Sequence, residues 1–120
     1  MKKYSILLVE NEKNLVECLE LLLTIEGHSV TTAENGAEAL TILKDRQNFD
    51  LLITDIWMPQ MSGLQLVDEL NRRKINMKVL GTSGYIDNET IAKLAESGCT
   101  NLLFKPFSTE MLLNKIETIM

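Results

Sequence analysis

The chain has 120 residues, 45% of them hydrophobic and 24% charged, with a formal net charge of -5, a composition that fits one soluble globular domain able to bury a core without disulfide or metal staples. The acidic excess lies in the first half, where 10 Asp and Glu stand against 5 Lys and Arg, which argues against direct nucleic-acid binding. Cys18 and Cys99 lack metal-ligand spacing and read as reduced thiols of a cytoplasmic protein, and the basic start Lys2-Lys3 leads into an apolar run too short for a signal peptide or a membrane span.

In chain order, uncharged apolar runs alternate with helical periodicity. Ser5-Ile6-Leu7-Leu8-Val9 reads as a central strand closed by Glu10-Asn11-Glu12. From about Lys13 the spacing of Leu15, Leu19, Leu22 and Ile25 predicts an amphipathic helix, with Gly27 as its left-handed stop. His28 to Thr32 is short and partly polar and suits an edge strand; His28, the only histidine, is read as a surface residue of the turn. Asn35-Gly36 then opens a helix with Ala39, Leu40 and Leu43 on one face.

Leu51-Leu52-Ile53-Thr54-Asp55 is the most apolar strand, and Pro59 ends it close to Asp55 because it cannot continue a ladder and biases Met58 away from helix. Met61-Ser62-Gly63 leads into a helix carrying Leu64, Leu66, Val67 and Leu70. The Arg72-Arg73-Lys74 run that follows is favoured at a helix C-terminus and is not taken as a DNA patch. A fourth strand runs from Lys78 to Ser83, then a helix capped by Asp87 with Ile91, Leu94 and Ala95 inward, stopped at Gly98. The fifth strand is Thr100 to Phe104. After Lys105-Pro106, Ser108 begins a last helix with Met111, Leu112, Lys115, Ile116 and Ile119 at helical spacing, its Met and Leu stripe read as core.

Five strands alternating with five helices make a single α/β domain over residues 1–120, a doubly wound five-stranded parallel sheet for which the flavodoxin-like order 2-1-3-4-5 is the expectation. In such sheets the ligand crevice lies at the carboxyl ends of the strands. The strands deliver Glu10 and Asn11, Asp55, Ser83 and Lys105 to that crevice. A lone Asp after a strand is ordinarily a cap or turn residue, but this constellation outweighs that reading. Neighbouring oxygen ligands suit Mg²⁺. An aspartate can act as a nucleophile toward phosphorus, and phosphoryl transfer then needs mainly positioning and charge neutralisation.

Those residues resemble the receiver (response regulator) domains of two-component signalling. The resemblance spans the whole chain through Ile6 to Glu12, Phe49 to Pro59 with Met61-Ser62-Gly63, Thr82 to Tyr85, and Lys105-Pro106-Phe107. It implies that Asp55 accepts a phosphoryl group from a phosphohistidine on a sensor histidine kinase or phosphotransfer protein, with Mg²⁺ held by Glu10, Asn11, Asp55 and the backbone carbonyl of Trp57. It further implies that Ser83 contacts the phosphate, that Lys105 pairs with a phosphate oxygen, and that the Lys105-Pro106 bond is cis. The implied face for an output domain, partner protein or phosphorylation-dependent homodimer includes Ile91, Lys93, Leu102 and Met111. A domain of this kind is not a turnover enzyme, although it promotes its own phosphorylation and dephosphorylation.

Two positions depart from the family pattern. Asn11 replaces the usual aspartate, leaving Glu10 and Asp55 as the pocket's negative charges and predicting weaker Mg²⁺ affinity. Leu102 stands where many receivers carry a switching Tyr or Phe. Trp57 and Tyr85, two residues beyond Asp55 and Ser83, are placed to shield an acyl phosphate from water or to serve as packing and partner contacts. The rival readings are a pseudo-receiver interaction module with impaired phosphorylation, resting on Asn11 and Leu102, and a flavin or nucleotide binder. The second is disfavoured because the loop after the first strand is acidic and not a Gly- or Ser/Thr-rich phosphate loop.

Overall fold

The computed structural model describes residues 2–120. Strands β1 (Ser5–Val9), β2 (Ser29–Ala33), β3 (Leu51–Asp55), β4 (Lys78–Ser83) and β5 (Asn101–Phe104) alternate with helices α1 (Lys13–Ile25), α2 (Gly36–Asp45), α3 (Gly63–Arg72), α4 (Asn88–Glu96) and α5 (Thr109–Ile119). All neighbouring strands pair in parallel, in the order β2-β1-β3-β4-β5. The doubly wound expectation therefore holds, with β2 at one edge and the switch point between β1 and β3, where crevices form in such sheets.

Side-chain alternation explains why the central strands are apolar throughout. Ile6 and Leu8 of β1, with Leu51 and Ile53 of β3, face Leu19, Leu23, Leu112 and Ile116 of α1 and α5. Leu7, Val9 and Leu52 face the opposite way, onto Leu40 and Leu43 of α2 and Leu66 and Leu70 of α3. A strand with a hydrophobic layer on each side has no polar face to show, which is why periodicity of two disappears from its sequence. A third cluster joins Ile56, Val67, Ile86, Leu94 and Cys99 under α3 and α4.

The helix ends follow their local chemistry. Asn35, Ser62, Asp87 and Ser108 each accept a hydrogen bond from the backbone N–H three residues on, and Ser62 with Gln65 completes a capping box. Helices α1, α3 and α4 end in Schellman motifs. The paired bonds run from His28 N–H to Leu23 O and Gly27 N–H to Thr24 O, from Ile75 to Leu70 and Lys74 to Asn71, and from Cys99 to Leu94 and Gly98 to Ala95. Gly27 and Gly98 take the required positive φ, as expected, whereas α3 uses Lys74 there at φ 57°.

Four expectations need correction. His28 is not a surface residue: it is buried, its Nδ1 accepts the Tyr4 N–H at 3.0 Å, and its ring stacks on Tyr4. The turn between α1 and β2 sets the imidazole against Tyr4, just ahead of β1. Ile25 is 71% exposed, and Leu23 fills the core in its place, because the inward arc of α1 centres on Leu19 and Leu23. Ala95 is exposed, leaving Leu94 as the only fully buried residue of α4. Met111 is half exposed while Leu112 is buried, so the α5 core stripe is Leu112, Ile116 and Ile119.

Candidate functional site at the carboxyl ends of the strands

Three of the five residues singled out at the strand ends, Glu10, Asp55 and Lys105, come together as a charged cluster. Asp55 is the last residue of β3 and is buried by the parallel strands on either side and the loop that follows it. Glu10 follows β1 and is also buried. Lys105 follows β5, and its N–H donates to the Ser83 carbonyl at 2.7 Å, which fixes the root of the side chain. From there Nζ reaches across the strand ends to Glu10 Oε1 at 2.8 Å and Asp55 Oδ2 at 3.2 Å. The other carboxylate oxygens are also engaged: Glu10 Oε2 accepts the Glu12 N–H at 3.0 Å, and Asp55 Oδ1 accepts the Trp57 N–H at 3.2 Å. The Lys105-Pro106 bond is cis.

Burial, and then the neighbouring Glu10 charge, push the Asp55 carboxyl above its usual range, and Lys105 and the Trp57 N–H only partly offset them. Burial works against the Lys105 ammonium, but its hydrogen bond to Glu10 and the two carboxylate charges outweigh that and raise its pKa. One ammonium thus holds two like charges together at the bottom of the crevice.

Loop geometry explains how close the elements come. The Gly63 N–H donates to the Ile56 carbonyl at 2.7 Å, and a Cβ on Gly63 would stand 2.7 Å from the Asp55 carbonyl oxygen. Only a residue without a side chain lets α3 start this near the end of β3. At Gly36, by contrast, a Cβ would meet only side-chain atoms of Met61, Sδ at 2.7 Å. On β4, the Thr82 carbonyl accepts the Ile56 N–H at 3.0 Å, tying the loop after Asp55 to the neighbouring strand.

Ser83 is buried, but its hydroxyl is committed elsewhere. Oγ donates to the Tyr85 carbonyl at 2.8 Å and accepts the Tyr85 N–H at 3.2 Å, a closed local turn of the kind serine favours. The same carbonyl accepts the indole N–H of Trp57. Trp57 and Tyr85 are both largely exposed. Nothing in the sequence signalled that junction, because its acceptor is a backbone carbonyl; the importance of Gly63 was legible only as a turn residue.

Asn11 lies exposed beside Glu10, along an acidic cleft that continues past Glu17, Glu20 and Glu34. The donor set suits a hard cation that takes one or two carboxylates and keeps several waters: the Glu10 and Asp55 carboxylates and an amide oxygen at Asn11 stand at adjoining strand ends. Among the described residues, no group of three or more His, Cys, Asp and Glu is arranged to hold a metal. A cation at this site would have two carboxylates, Glu10 and Asp55, and whatever Asn11 adds.

A family model for the response regulator receiver domain matches residues 6–117. Among curated proteins, the probable C4-dicarboxylate response regulator DctR of Bacillus subtilis is 30% identical over 118 residues, which are 97% of this chain and 52% of that protein. The transcriptional regulatory protein GlrR of Escherichia coli is 34% identical over 116 residues, 97% of this chain and 26% of that protein. The chain thus spans about half or less of the length of these relatives. Among solved structures, the chemotaxis protein CheY4 of Vibrio cholerae matches with a TM-score of 0.91 at 26% identity, covering 99% of this chain and 100% of that one. A CheY-like receiver domain protein of Methanospirillum hungatei matches with a TM-score of 0.90 at 26% identity, covering 98% and 93%.

Proposed function

This chain belongs to the response regulator receiver family, and on that premise we propose that Asp55 takes a phosphoryl group from a phosphohistidine of a sensor kinase or phosphotransfer protein in a Mg²⁺-dependent step that switches the domain's conformation. The observation that carries this reading is Lys105 Nζ bridging Glu10 and Asp55 at 2.8 and 3.2 Å. Three strands deliver an acceptor carboxylate, a fixed cation and a second acid to one point.

The chemistry follows from those positions. An Asp55 carboxylate oxygen forms the new O–P bond as the N–P bond of the phosphohistidine breaks, and the histidine nitrogen leaves with the bonding pair. Lys105 favours the ionised acceptor before transfer and lies within reach of the phosphoryl oxygens after it. Glu10, Asn11, Asp55 and the Trp57 carbonyl would hold Mg²⁺, which would supply neutralisation of the phosphoryl charge. Ser83 supplies a hydroxyl donor once it turns from Tyr85. The pseudo-receiver alternative gains no support, since Asp55, Lys105 and Glu10 form a connected site. Output through the face of α4, β5 and α5, to a partner protein, an attached domain or a second copy, is consistent with the half-exposed Phe104 and Met111.

The test is intact-protein mass after incubation with acetyl phosphate across a Mg²⁺ titration. A single phosphoryl gain that requires Mg²⁺ and is lost in Asp55→Asn is the expected result. No gain at any Mg²⁺ concentration sinks the reading.

A further inference from the structure

The loop after β4 is anchored at its far end by Ile86, buried with Ile56 and Leu94, but its first residues, Gly84 and Tyr85, are held by few ties. Gly84 has open space where a side chain would be, and Tyr85 is 71% exposed. Two of the ties are the reciprocal bonds between the Ser83 hydroxyl and the Tyr85 backbone. A third is the bond from the Trp57 indole N–H to the Tyr85 carbonyl. Trp57 is also the residue whose backbone N–H is bonded to Asp55 Oδ1. A single residue therefore touches the acceptor carboxylate with its main chain and the β4–α4 loop with its side chain.

These bonds do not all survive the event assigned to the site. When the Ser83 hydroxyl turns toward a phosphoryl group, its bond to the Tyr85 carbonyl is given up and the turn it closes is weakened. The indole bond does not involve Ser83 and persists. The Tyr85 carbonyl keeps a donor, and the loop keeps an attachment to the end of β3.

We propose that Trp57 is a positioning residue whose indole N–H tethers the Tyr85 carbonyl, so that the Ser83 hydroxyl is released to the acceptor site while the β4–α4 loop stays docked. This rests on Asp55 as phosphoacceptor for the release of Ser83, but not for the tether itself. The assignment separates the role of the N–H from that of the bulk of the ring. An aromatic of the same shape without the donor frees the loop, and an indole analogue that keeps the donor does not.

The chain contains one tryptophan, so global replacement during expression alters Trp57 alone. The experiment compares the parent, Trp57→Phe, and proteins carrying 7-azatryptophan, which retains the N–H, or benzothienylalanine, in which sulfur replaces it. Hydrogen exchange of the Gly84, Tyr85 and Ile86 amides is measured with and without acetyl phosphate and Mg²⁺. In the unphosphorylated state, Trp57→Phe and the benzothienylalanine protein should exchange these amides roughly two- to tenfold faster than the parent, the range expected for one modest hydrogen bond. The 7-azatryptophan protein should match the parent, and the gap should widen on phosphorylation. Equal exchange in the benzothienylalanine protein and the parent, or fast exchange in the 7-azatryptophan protein, overturns the tether. If the N–H dependence is present but Asp55 gains no phosphoryl group, the phosphoacceptor reading fails and the tether stands without its link to Ser83. If Asp55 is phosphorylated and the gap does not widen, the coupling to Ser83 fails.

Discussion

Asp55 is a carboxylate that its surroundings make reluctant to ionise, since burial and Glu10 together raise its pKa despite Lys105. The folded chain therefore binds that proton more tightly than the unfolded chain. The stability this supplies is complete below the unfolded pKa and is lost as pH rises through the folded one. At neutral pH the ionised Asp55 carboxylate is a strain on the fold, one that the proposed phosphoacceptor role would account for. Asp55→Asn should accordingly melt about 2–5 °C higher than the parent at pH 7, with the difference vanishing below about pH 4; thermal unfolding followed by circular dichroism across that range checks it. Asn11 poses the opposite question, because it withholds a charge. Asn11→Asp should tighten Mg²⁺ binding by up to about tenfold, read as a shift in the midpoint of the Trp57 fluorescence titration. An unchanged midpoint would show that the amide serves the cation as well as a carboxylate does.

At the scale of the element, the three Schellman endings offer an internal comparison. Gly27 and Gly98 occupy the left-handed position at no steric cost, while Lys74 holds φ 57° with a side chain attached. The flanking contact of Ile75 with the Leu70 end of α3 is otherwise well made, both residues being buried in one cluster. Lys74→Gly should thus stabilise the domain by about 1 kcal/mol, as the αL penalty exceeds the extra backbone freedom glycine has when unfolded; the urea midpoint should rise with an unchanged slope. The start of the same helix behaves differently. Gly63→Ala drives a Cβ to 2.7 Å from the Asp55 carbonyl and 2.8 Å from the Ile56 Cα, both backbone atoms. That substitution should lower stability and also displace the acceptor loop, so phosphoryl gain from acetyl phosphate should fall with it.

At the scale of the molecule, Lys105 joins the ends of β1, β3 and β5 through Glu10 and Asp55, residues 95 and 50 positions away along the chain. Removing the ammonium leaves two buried acids adjacent and uncompensated. Lys105→Met should cost about 1–3 kcal/mol at pH 7, a range kept modest because the lysine is partly solvent exposed. The sign with pH is definite: without the lysine both carboxyls are harder to ionise, so the deficit is full at neutral pH and shrinks as they protonate on acidification. Urea unfolding of parent and variant at pH 7 and pH 4 would reveal a deficit that does not shrink, and with it a packing loss and not an electrostatic one.

The order of strands and helices, most of the caps, and the five charged or polar residues delivered to the strand ends were legible in the chain itself. Each rests on local chemistry: uncharged runs need two hydrophobic layers, Asn35, Ser62, Asp87 and Ser108 offer oxygens to free N–H groups, and parallel connectivity sends every strand's carboxyl end to one side. Where apolar residues lie close together along one helix, the sequence could not choose among them. It offered Ile25 for the core where Leu23 serves, and Met111 as part of a stripe whose buried member is Leu112, because the centre of a buried arc depends on the angle at which a helix lies on the sheet. Tertiary structure also decided that His28 is buried against Tyr4 and that Lys105 spans both acids. It alone revealed that Trp57 and Ser83 share one carbonyl of Tyr85, a contact between separate loops that leaves no periodicity or spacing to read.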